Sequence, residues 1–352
     1  MKKRIMSLLL ALVLLLQSVP VSATAVTYRE PPRYEAPVQA PLPTEPEVLP
    51  TEPQIHLPEP EELQAPPVQP ANVAKDFAWT LEDGILSITG NGDMPLFGSY
   101  VSSVPWYFSR NEITSVVLGA GITSISTHAF SDCKALTTAE LPDGLTSLGT
   151  GAFTQCTALE SVVLPDSLTV IEERTFEGCK ALTSVDLPDH LVSLGAYAFE
   201  DCFALASIEL PDTLTSIGGL AFSKCYTLTS IVLPEGLTTL ENDVFKSCTG
   251  LVSAVLPGTL HETGSQIFEG CTALTSVVLP SGLPESDERL FGDTITMGIG
   301  MFQDCTALTT VEFPEFISCI AQEMFSGCIC WDWTSAPSPW TPNCPLIWTA
   351  PP

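Results

Sequence analysis

A 23-residue unit recurs through most of this chain and constrains its fold more than any other feature. One clear copy, GAFTQCTALESVVLPDSLTVIEE, runs from Gly151 to Glu173. A fixed repeat of about 20–50 residues indicates a solenoid, in which stacked copies share one core, rather than several compact domains. Residues 112–330 are therefore predicted to form about nine coils. Each copy carries a phenylalanine and, three residues later, a cysteine, at Phe130/Cys133, Phe153/Cys156, Phe176/Cys179, Phe199/Cys202, Phe222/Cys225, Phe245/Cys248, Phe268/Cys271, Phe302/Cys305 and Phe325/Cys328.

The apolar positions within a copy predict short strands around a common core. Val162 and Leu164 share one face of a short strand, whereas Val163 between them points the other way. Pro165 ends this strand because proline lacks the N–H that a ladder requires. Ile171 then belongs to a second short extended segment directed back into the core.

The cysteine ladder, meaning the nine cysteines of these pairs, is predicted to consist of buried structural thiols. Stacking brings neighbouring cysteines within disulfide range, but thiols that all point the same way are poorly placed to pair. Zinc is disfavoured because no histidine cluster accompanies the row. A disulfide among Cys328, Cys330 and Cys344 remains an alternative near the C-terminus.

The charge balance excludes several partner classes. The chain has 41 acidic residues against 13 Lys and Arg, a net charge of −28. Nucleic acid and anionic membrane surfaces are unfavourable partners, because the sequence has no cluster of Lys and Arg that could bind their phosphates. A cationic partner is permitted, and so is calcium, although one carboxylate per coil favours simple turn formation over metal binding. The carboxylates of this turn row are Asp143, Asp166, Asp189, Asp212 and Glu235.

Catalytic chemistry has no motif in this sequence. His56, His128, His190 and His261 are isolated from one another, and none belongs to a nucleophile or metal motif. No glycine-rich phosphate loop follows a predicted strand. We therefore expect a protein that is not an enzyme and that has no catalytic residue, cofactor or metal site.

The N-terminal quarter of the chain divides into three segments. Residues 1–25 combine a basic start, a short apolar run and small residues, which is typical of a secretory signal, so no membrane insertion is expected after its cleavage. Residues 26–74 are rich in Pro and Glu and predict a disordered tether. Residues 75–111 predict an N-terminal β cap that begins with a hairpin around Glu82–Gly84. Its aromatic residues are predicted to form the core of the cap, with a sugar-binding surface as the alternative: Trp79, Trp106, Tyr107 and Phe108.

The repeat resembles a known family. The pattern Leu-x-x-Val-x-Leu-Pro, then Leu-x-x-Leu-Gly, then Ala-Phe-x-x-Cys runs from Leu182 to Cys202 and resembles the bacterial BspA-like leucine-rich repeats. The block containing Trp79-Thr80-Leu81 and Pro105-Trp106-Tyr107 is similar to a module that often precedes those repeats. The resemblance covers about residues 76–330. It implies a mostly β, right-handed leucine-rich-repeat solenoid with short parallel strands, tight turns and an N-terminal cap.

The resemblance also carries functional expectations. Proteins of this class are usually secreted by bacteria or attached to their surface, and characterised members act as adhesins. The resemblance thus implies a non-enzymatic, adhesin-like protein that binds an extracellular protein or cell-surface macromolecule. A self-associating structural scaffold and a glycan-binding protein remain the alternatives.

The outward face of the predicted strands is the main candidate site. One row of this face is hydroxylic, and the adjacent row is acidic in one part and apolar in another. The hydroxylic row is Thr138, Ser161, Ser184, Ser207, Ser230, Ser253, Ser276 and Thr310. The adjacent row is Glu140, Val163, Asp186, Glu209, Val232, Val255, Val278 and Glu312. The residues selected as binding candidates are Ser161, Asp186, Glu209, Val232, Val255 and Val278.

Two irregular segments carry the remaining expectations. The period breaks with extra residues in 283–294, which predicts a loop, and Glu288, Arg289 and Phe291 in this loop are further binding candidates. Residues 331–352 form an irregular tail rich in Pro and Trp. The tail is interpreted either as a cap on the last coil or as a truncated or altered end.

Overall fold

The computed structural model describes residues 77–97, 101–260, 263–279, 298–312 and 323–329, apart from the side chains at positions 101 and 312. All of these residues belong to one compact unit, Ala65–Pro352. The predicted signal peptide (1–25), tether (26–74), insertion (283–294) and tail (331–352) lie outside the described residues.

Short strands separated by turns make up the described ranges. There are sixteen strands and two 3-10 helices in these ranges, and α-helix is absent from them. The strands are β1 (Ala78–Glu82), β2 (Ile85–Thr89), β3 (Gly92–Asp93), β4 (Ser115–Leu118), β5 (Ile122–Ile125), β6 (Thr138–Glu140), β7 (Ser147–Leu148), β8 (Ser161–Val162), β9 (Val170–Ile171), β10 (Ser193–Leu194), β11 (Ser216–Ile217), β12 (Ser230–Val232), β13 (Thr239–Leu240), β14 (Ser253–Val255), β15 (Ser276–Val278) and β16 (Thr310–Glu312); the 3-10 helices are η1 (Val101–Ser103) and η2 (Tyr107–Ser109).

The strands form two series of ladders, in which every pair is parallel except β1 with β2. The first series contains the sheets β1-β2-β4-β6-β8 and β12-β14-β15-β16, and the second contains β3-β5-β7 and β13-β11-β10-β9. Pairing follows the repeat period, since Ser230 pairs with Ser253 and Ser253 pairs with Ser276. A slip of one residue would turn buried Ile231 and Val277 toward solvent, so burial fixes the register. The prediction of a mostly β solenoid with short parallel strands is confirmed.

The nine phenylalanines form one continuous stack in the core, which we call the phenylalanine ladder. Neighbouring ring centroids lie 5.2–5.8 Å apart along it. The rings from Phe130 to Phe302 are fully buried. Such aromatic contacts add about 0.5–1.5 kcal/mol per pair beyond the burial of apolar area. The ladder therefore ties each coil to its two neighbours.

The backbone around each ladder phenylalanine adopts left-handed conformations at two positions. In the coil of Phe199 these are Tyr197 (φ 59°) and Asp201 (φ 60°), and the same two positions have positive φ in all nine coils. A left-handed residue other than glycine costs roughly 1–2 kcal/mol. In return, the N–H groups of Tyr197, Phe199 and Asp201 all donate to carbonyls of the next coil, at 2.8–3.0 Å. Stacking between coils thus stabilises a conformation that one coil alone would not hold.

The N-terminal hairpin closes the first end of the stack. Strands β1 and β2 pair antiparallel around a turn in which Asp83 and Gly84 both have positive φ, as a two-residue hairpin requires. Strand β2 then pairs with β4 in parallel and so continues the first series of ladders. The ring of Trp106 stacks on Phe130 at 5.8 Å, and its indole N–H donates to the carbonyl of Ala129 at 2.8 Å. Trp106 therefore occupies the place of one more ladder ring, and the predicted hairpin is present. Phe108, also predicted to lie in the cap core, is instead 87% exposed, because the 3-10 helix η2 that carries it buries none of its residues.

Candidate binding face

The front face is defined here as the outward side of β4, β6, β8, β12, β14, β15 and β16, with the equivalent segments 184–186 and 207–209. Alternation along each strand decides which side chains reach it. In β12, Ile231 is buried in the core, while Ser230 and Val232 on either side are exposed. Leu233 after them is buried again, and Pro234 ends the strand. Each repeat thus places two outward side chains on the front face.

The hydroxylic row lies on the front face as the sequence predicts. Thr138 pairs with Ser161, and in the second part of the face Ser276 pairs with Thr310. Ser161 is exposed, whereas Ser253 and Ser276 are half-buried. The Thr138 hydroxyl donates to Ser115 Oγ at 3.2 Å. The row is thus a surface of short polar side chains that can both donate and accept hydrogen bonds.

Three valines form an apolar strip beside these hydroxyls. Val232 pairs with Val255, and Val255 pairs with Val278, so the three side chains lie side by side on adjacent strands. Their exposed fractions are 62%, 37% and 37%. Single exposed valines are ordinary, but an aligned group removes a continuous apolar area from water when it is covered. We call Val232, Val255 and Val278 the valine strip.

The acidic part of the front face lacks basic partners. Asp186 and Glu209 are exposed, and Asp186 forms a β-bridge with Val163, which is 75% exposed. Across the described ranges, neither carboxylate has a Lys or Arg nitrogen within 4.0 Å. The ion pairs lie instead beside the Phe-x-x-Cys segments, as in the contacts of Lys224 with Glu200 (3.2 Å) and Asp201 (3.0 Å). The acidic part of the front face therefore carries uncompensated negative charge.

The structure brings six of the nine candidate residues onto one face. Ser161, Asp186, Glu209, Val232, Val255 and Val278 all point outward from it. The other three candidates, Glu288, Arg289 and Phe291, lie outside the described residues, so their part in a site stays a prediction.

The ladder cysteines are free, buried thiols, which confirms the prediction for them. Eight of the nine donate a hydrogen bond to the phenylalanine carbonyl of the preceding coil, at 3.0–3.4 Å. Burial raises the pKa of Cys248 to about 12 and that of Cys328 to about 11. Thiols that stay protonated are poor nucleophiles and poor metal ligands. Because Cys328 is free, a disulfide through it is not formed, and Cys330 and Cys344 lie outside the described residues.

The turn row of carboxylates is solvent-exposed along one edge of the coils. Asp166 and Asp212 are each followed by a hydroxyl residue that binds the previous coil. The Thr213 hydroxyl, for example, donates to the carbonyls of Asp189 (2.9 Å) and Leu191 (2.8 Å). These bonds account for the turns without a bound ion. Within the described part of the chain, no group of three or more His, Cys, Asp or Glu residues is placed to hold a metal ion.

The cap aromatics do not form the sugar-binding surface considered as an alternative. Trp106 is only 2% exposed, and Trp79 packs edge-on against it at 6.1 Å. Phe108 is 87% exposed, and Tyr107 is half-buried beneath Arg110, which lies 4.0 Å from its ring centroid. Trp106 thus lies in the core, as the sequence predicts, and does not offer the open ring face that the alternative requires, because its ring stacks on Phe130.

Another aromatic pair at the surface, which the sequence reasoning missed, consists of an exposed tyrosine and a half-buried phenylalanine. Phe203 and Tyr226, each directly after a ladder cysteine, stack on consecutive coils at 4.9 Å. We call this pair the aromatic ridge. The sequence does distinguish this pair, because only these two copies carry an aromatic residue at this repeat position. The other copies carry short, charged or aliphatic residues there: Lys134, Thr157, Lys180, Thr249, Thr272, Thr306 and Ile329.

Comparison with known proteins agrees with the repeat architecture. The sequence matches the family model described as "BspA type Leucine rich repeat region (6 copies)" over residues 105–205, 192–297 and 293–338, which is more than half of the chain. The chain belongs to the BspA-type leucine-rich repeat family. The resemblance stated from the repeat pattern is thereby confirmed.

Several solved structures are similar to this BspA-type protein. The leucine-rich repeat protein TpLRR of T. pallidum is 24% identical, with 68% of this chain and 97% of that chain covered and a TM-score of 0.41. A leucine-rich repeat protein from Bacteroides ovatus is 23% identical over 74% and 81% of the two chains, with a TM-score of 0.37. A leucine-rich cell surface protein from Faecalibacterium prausnitzii is 20% identical over 73% and 92%, with a TM-score of 0.35. No curated protein matches the sequence.

In the part of this BspA-type protein that the structure describes, no helix is both long and apolar enough to cross a bilayer.

Proposed function

We propose that this BspA-type protein is a non-enzymatic, adhesin-like binding protein that acts outside the bacterial cell. The observation that carries the proposal is the front face, on which the aligned valine strip shares one row with the unpaired carboxylates Asp186 and Glu209. The predicted secretory signal in residues 1–25 supports an extracellular location. The absence of catalytic motifs from the sequence supports a binding role.

The chemistry of the front face favours one kind of partner. Desolvating the valine strip is favourable at roughly 25 cal/mol per Å² of apolar area. The neighbouring carboxylates attract Lys and Arg side chains and repel anionic surfaces. We therefore propose an extracellular protein that presents basic side chains beside aliphatic ones.

A triple variant tests this proposal. Val232→Thr, Val255→Thr and Val278→Thr in one chain keep the branched shape but replace methyl groups with hydroxyls. The matched control carries Thr169→Ser, Thr215→Ser and Thr238→Ser, at exposed positions that directly precede β9, β11 and β13 of the second strand series. The full chain is used to capture host or bacterial surface proteins. We expect the captured amount to fall at least tenfold with the valine variant and to stay unchanged with the control.

Charge and self-association are measured in the same experiment. Capture that depends on the front face is expected to weaken at high salt and in the variant Asp186→Asn, Glu209→Gln, because salt screens exposed charges. Equal capture by the valine variant and its control would contradict a role for the front face. Concentration-dependent oligomers without any captured partner would instead favour a self-associating scaffold.

A further inference from the structure

The aromatic ridge is a stacked pair at the surface, in which Tyr226 is exposed and Phe203 is half-buried. Tyr226 is 40% exposed, and its ring lies nearly parallel to that of Phe203, with an interplanar angle of 26°. Behind Phe203, the ammonium of Lys180 lies 5.1 Å from the ring centroid. The Thr227 hydroxyl donates to the carbonyl of Phe203 at 3.0 Å and ties the two turns together. Phe203 thus supports one face of Tyr226.

The other face of the Tyr226 ring points toward the same repeat position in the next coil, where no aromatic residue continues the stack. The residue at that position is Thr249, which is exposed, and Thr272 follows one coil further on. In the described ranges, Tyr226 has no ring contact other than Phe203, and neither threonine hydroxyl makes a hydrogen bond. The position one ring spacing beyond Tyr226 therefore holds no ring of the described residues, and it lies beside the free hydroxyls of Thr249 and Thr272.

The charges around this position select against ionic ligands. Lys180 makes no ion pair within the described residues, so the ridge itself carries a positive group. Nearby Glu200 and Asp201 are already paired with Lys224. A guanidinium stacked on Tyr226 would thus find no free carboxylate there. An acidic ligand would be repelled by a chain of net charge −28.

We propose that the aromatic ridge, with Thr249 and Thr272, is a binding subsite for a neutral hexopyranose ring of a glycan. The C–H groups on one side of a pyranose are apolar and weakly positive, so they pack on the electron-rich face of Tyr226. The hydroxyls at the rim of the sugar reach Thr249 and Thr272, which both donate and accept. This subsite lies in the turns before the front strands and does not depend on the front face binding a protein.

Calorimetric titration of the full chain with neutral hexasaccharides tests the subsite. The probes are cellohexaose, mannohexaose and chitohexaose, with heparin and hexa-arginine as the anionic and cationic comparisons. We expect at least one neutral probe to bind, and Tyr226→Ala to weaken that binding at least tenfold. Phe108→Ala removes an exposed ring from the cap and serves as the matched control without effect. Unchanged circular dichroism and Tm show that each variant is folded.

A second variant fills the subsite instead of removing it. Thr249→Tyr places a third ring in the row, where it continues the stack onto the open face of Tyr226, and it is expected to abolish sugar binding in a folded protein. The proposal is overturned if no neutral probe binds, or if binding survives both Tyr226→Ala and Thr249→Tyr. Binding of hexa-arginine that is lost with Tyr226→Ala would identify a cation site and would equally overturn it. The valine variant of the front face is expected to bind sugar normally.

Discussion

The thiol of Cys202 donates a hydrogen bond to the carbonyl oxygen of Phe176 in the preceding coil, with a sulfur–oxygen distance of 3.3 Å. The same contact joins Cys225 to Phe199 and recurs along the ladder. The carbonyl of Phe176 already accepts the backbone N–H of Cys179 at 3.1 Å, so the thiol supplies a second donor that links two coils. The thiol hydrogen has a structural role, and losing it by ionisation or alkylation breaks a contact between coils.

We expect the ladder thiols to be unreactive in the folded protein. All nine are buried, and burial raises the pKa of Cys133 to about 12, so hardly any thiolate is present at neutral pH. A thiol reagent at pH 7.5 should label none of the nine within minutes in buffer but all of them in denaturant, as counted by mass spectrometry of peptides. Rapid labelling of Cys202 without denaturant would contradict the buried ladder.

Stability is expected to fall steeply in alkaline solution. Burial raises the pKa of Cys202 well above its ordinary value of about 9, so the folded state holds a proton that the unfolded state releases. The stabilisation is complete below pH 9 and declines as the pH rises above it, by up to about 1.4 kcal/mol per pH unit for each such thiol. Urea unfolding at pH 7, 9 and 10 measures the slope. The variant Cys202→Ala, Cys225→Ala should show a smaller slope, and an equal slope would contradict this cause.

Removing one ring of the phenylalanine ladder should destabilise the whole solenoid. Phe199 is fully buried between Phe176 and Phe222, at 5.4 and 5.5 Å. Phe199→Ala is expected to cost about 3–5 kcal/mol, measured by urea unfolding, because it leaves a cavity between coils. The exposed ring of Phe108 is the control, and its replacement by alanine should cost less than about 0.5 kcal/mol. A loss below about 1 kcal/mol for Phe199→Ala would place this ring outside the core.

Two glycines are expected to respond in opposite ways to the same substitution. A Cβ on Gly195 would lie against the backbone nitrogen of Glu173 and 2.6 Å from the carbonyl carbon of Glu172. A Cβ on Gly144 would meet only the carbonyl oxygen of Ala120, at 3.7 Å. Gly195→Ala should therefore lower the free energy of unfolding by about 1–3 kcal/mol. Gly144→Ala should be neutral or stabilise by about 0.4–1 kcal/mol, and equal effects would contradict this packing.

Repetition made most of the fold predictable. A one-residue shift of strand register would expose Ile231 and the equivalent core residue of each other copy. The alternation of side chains alone therefore predicts which strand positions point inward and which point outward. The hairpin around Asp83 and Gly84 was equally readable, because its turn demands residues that tolerate positive φ. The family assignment follows from the same repeated pattern.

Long-range contacts decided what the repeat pattern left open. Trp106 was one of several cap aromatics in the sequence, and only its stacking on Phe130 shows that it extends the core rather than facing solvent. The lack of basic partners for Asp186 and Glu209 depends on where distant lysines lie, which spacing along the chain does not reveal. Phe203 and Tyr226 occupy the same repeat position, so the sequence places them on adjacent coils, but only the structure shows that their rings stack at 4.9 Å.

The sequence by itself determined the coil, its core positions and its stacking, since each repeat has an apolar side that only another repeat can cover. The sequence also aligned Val232, Val255 and Val278 in one outward row, but only the tertiary structure decided how exposed these side chains are and which charges lie around them. The physical reason is that burial acts on every copy in the same way, whereas exposed residues are free to differ from coil to coil. Their contacts exist only between coils, as in the valine strip and the aromatic ridge.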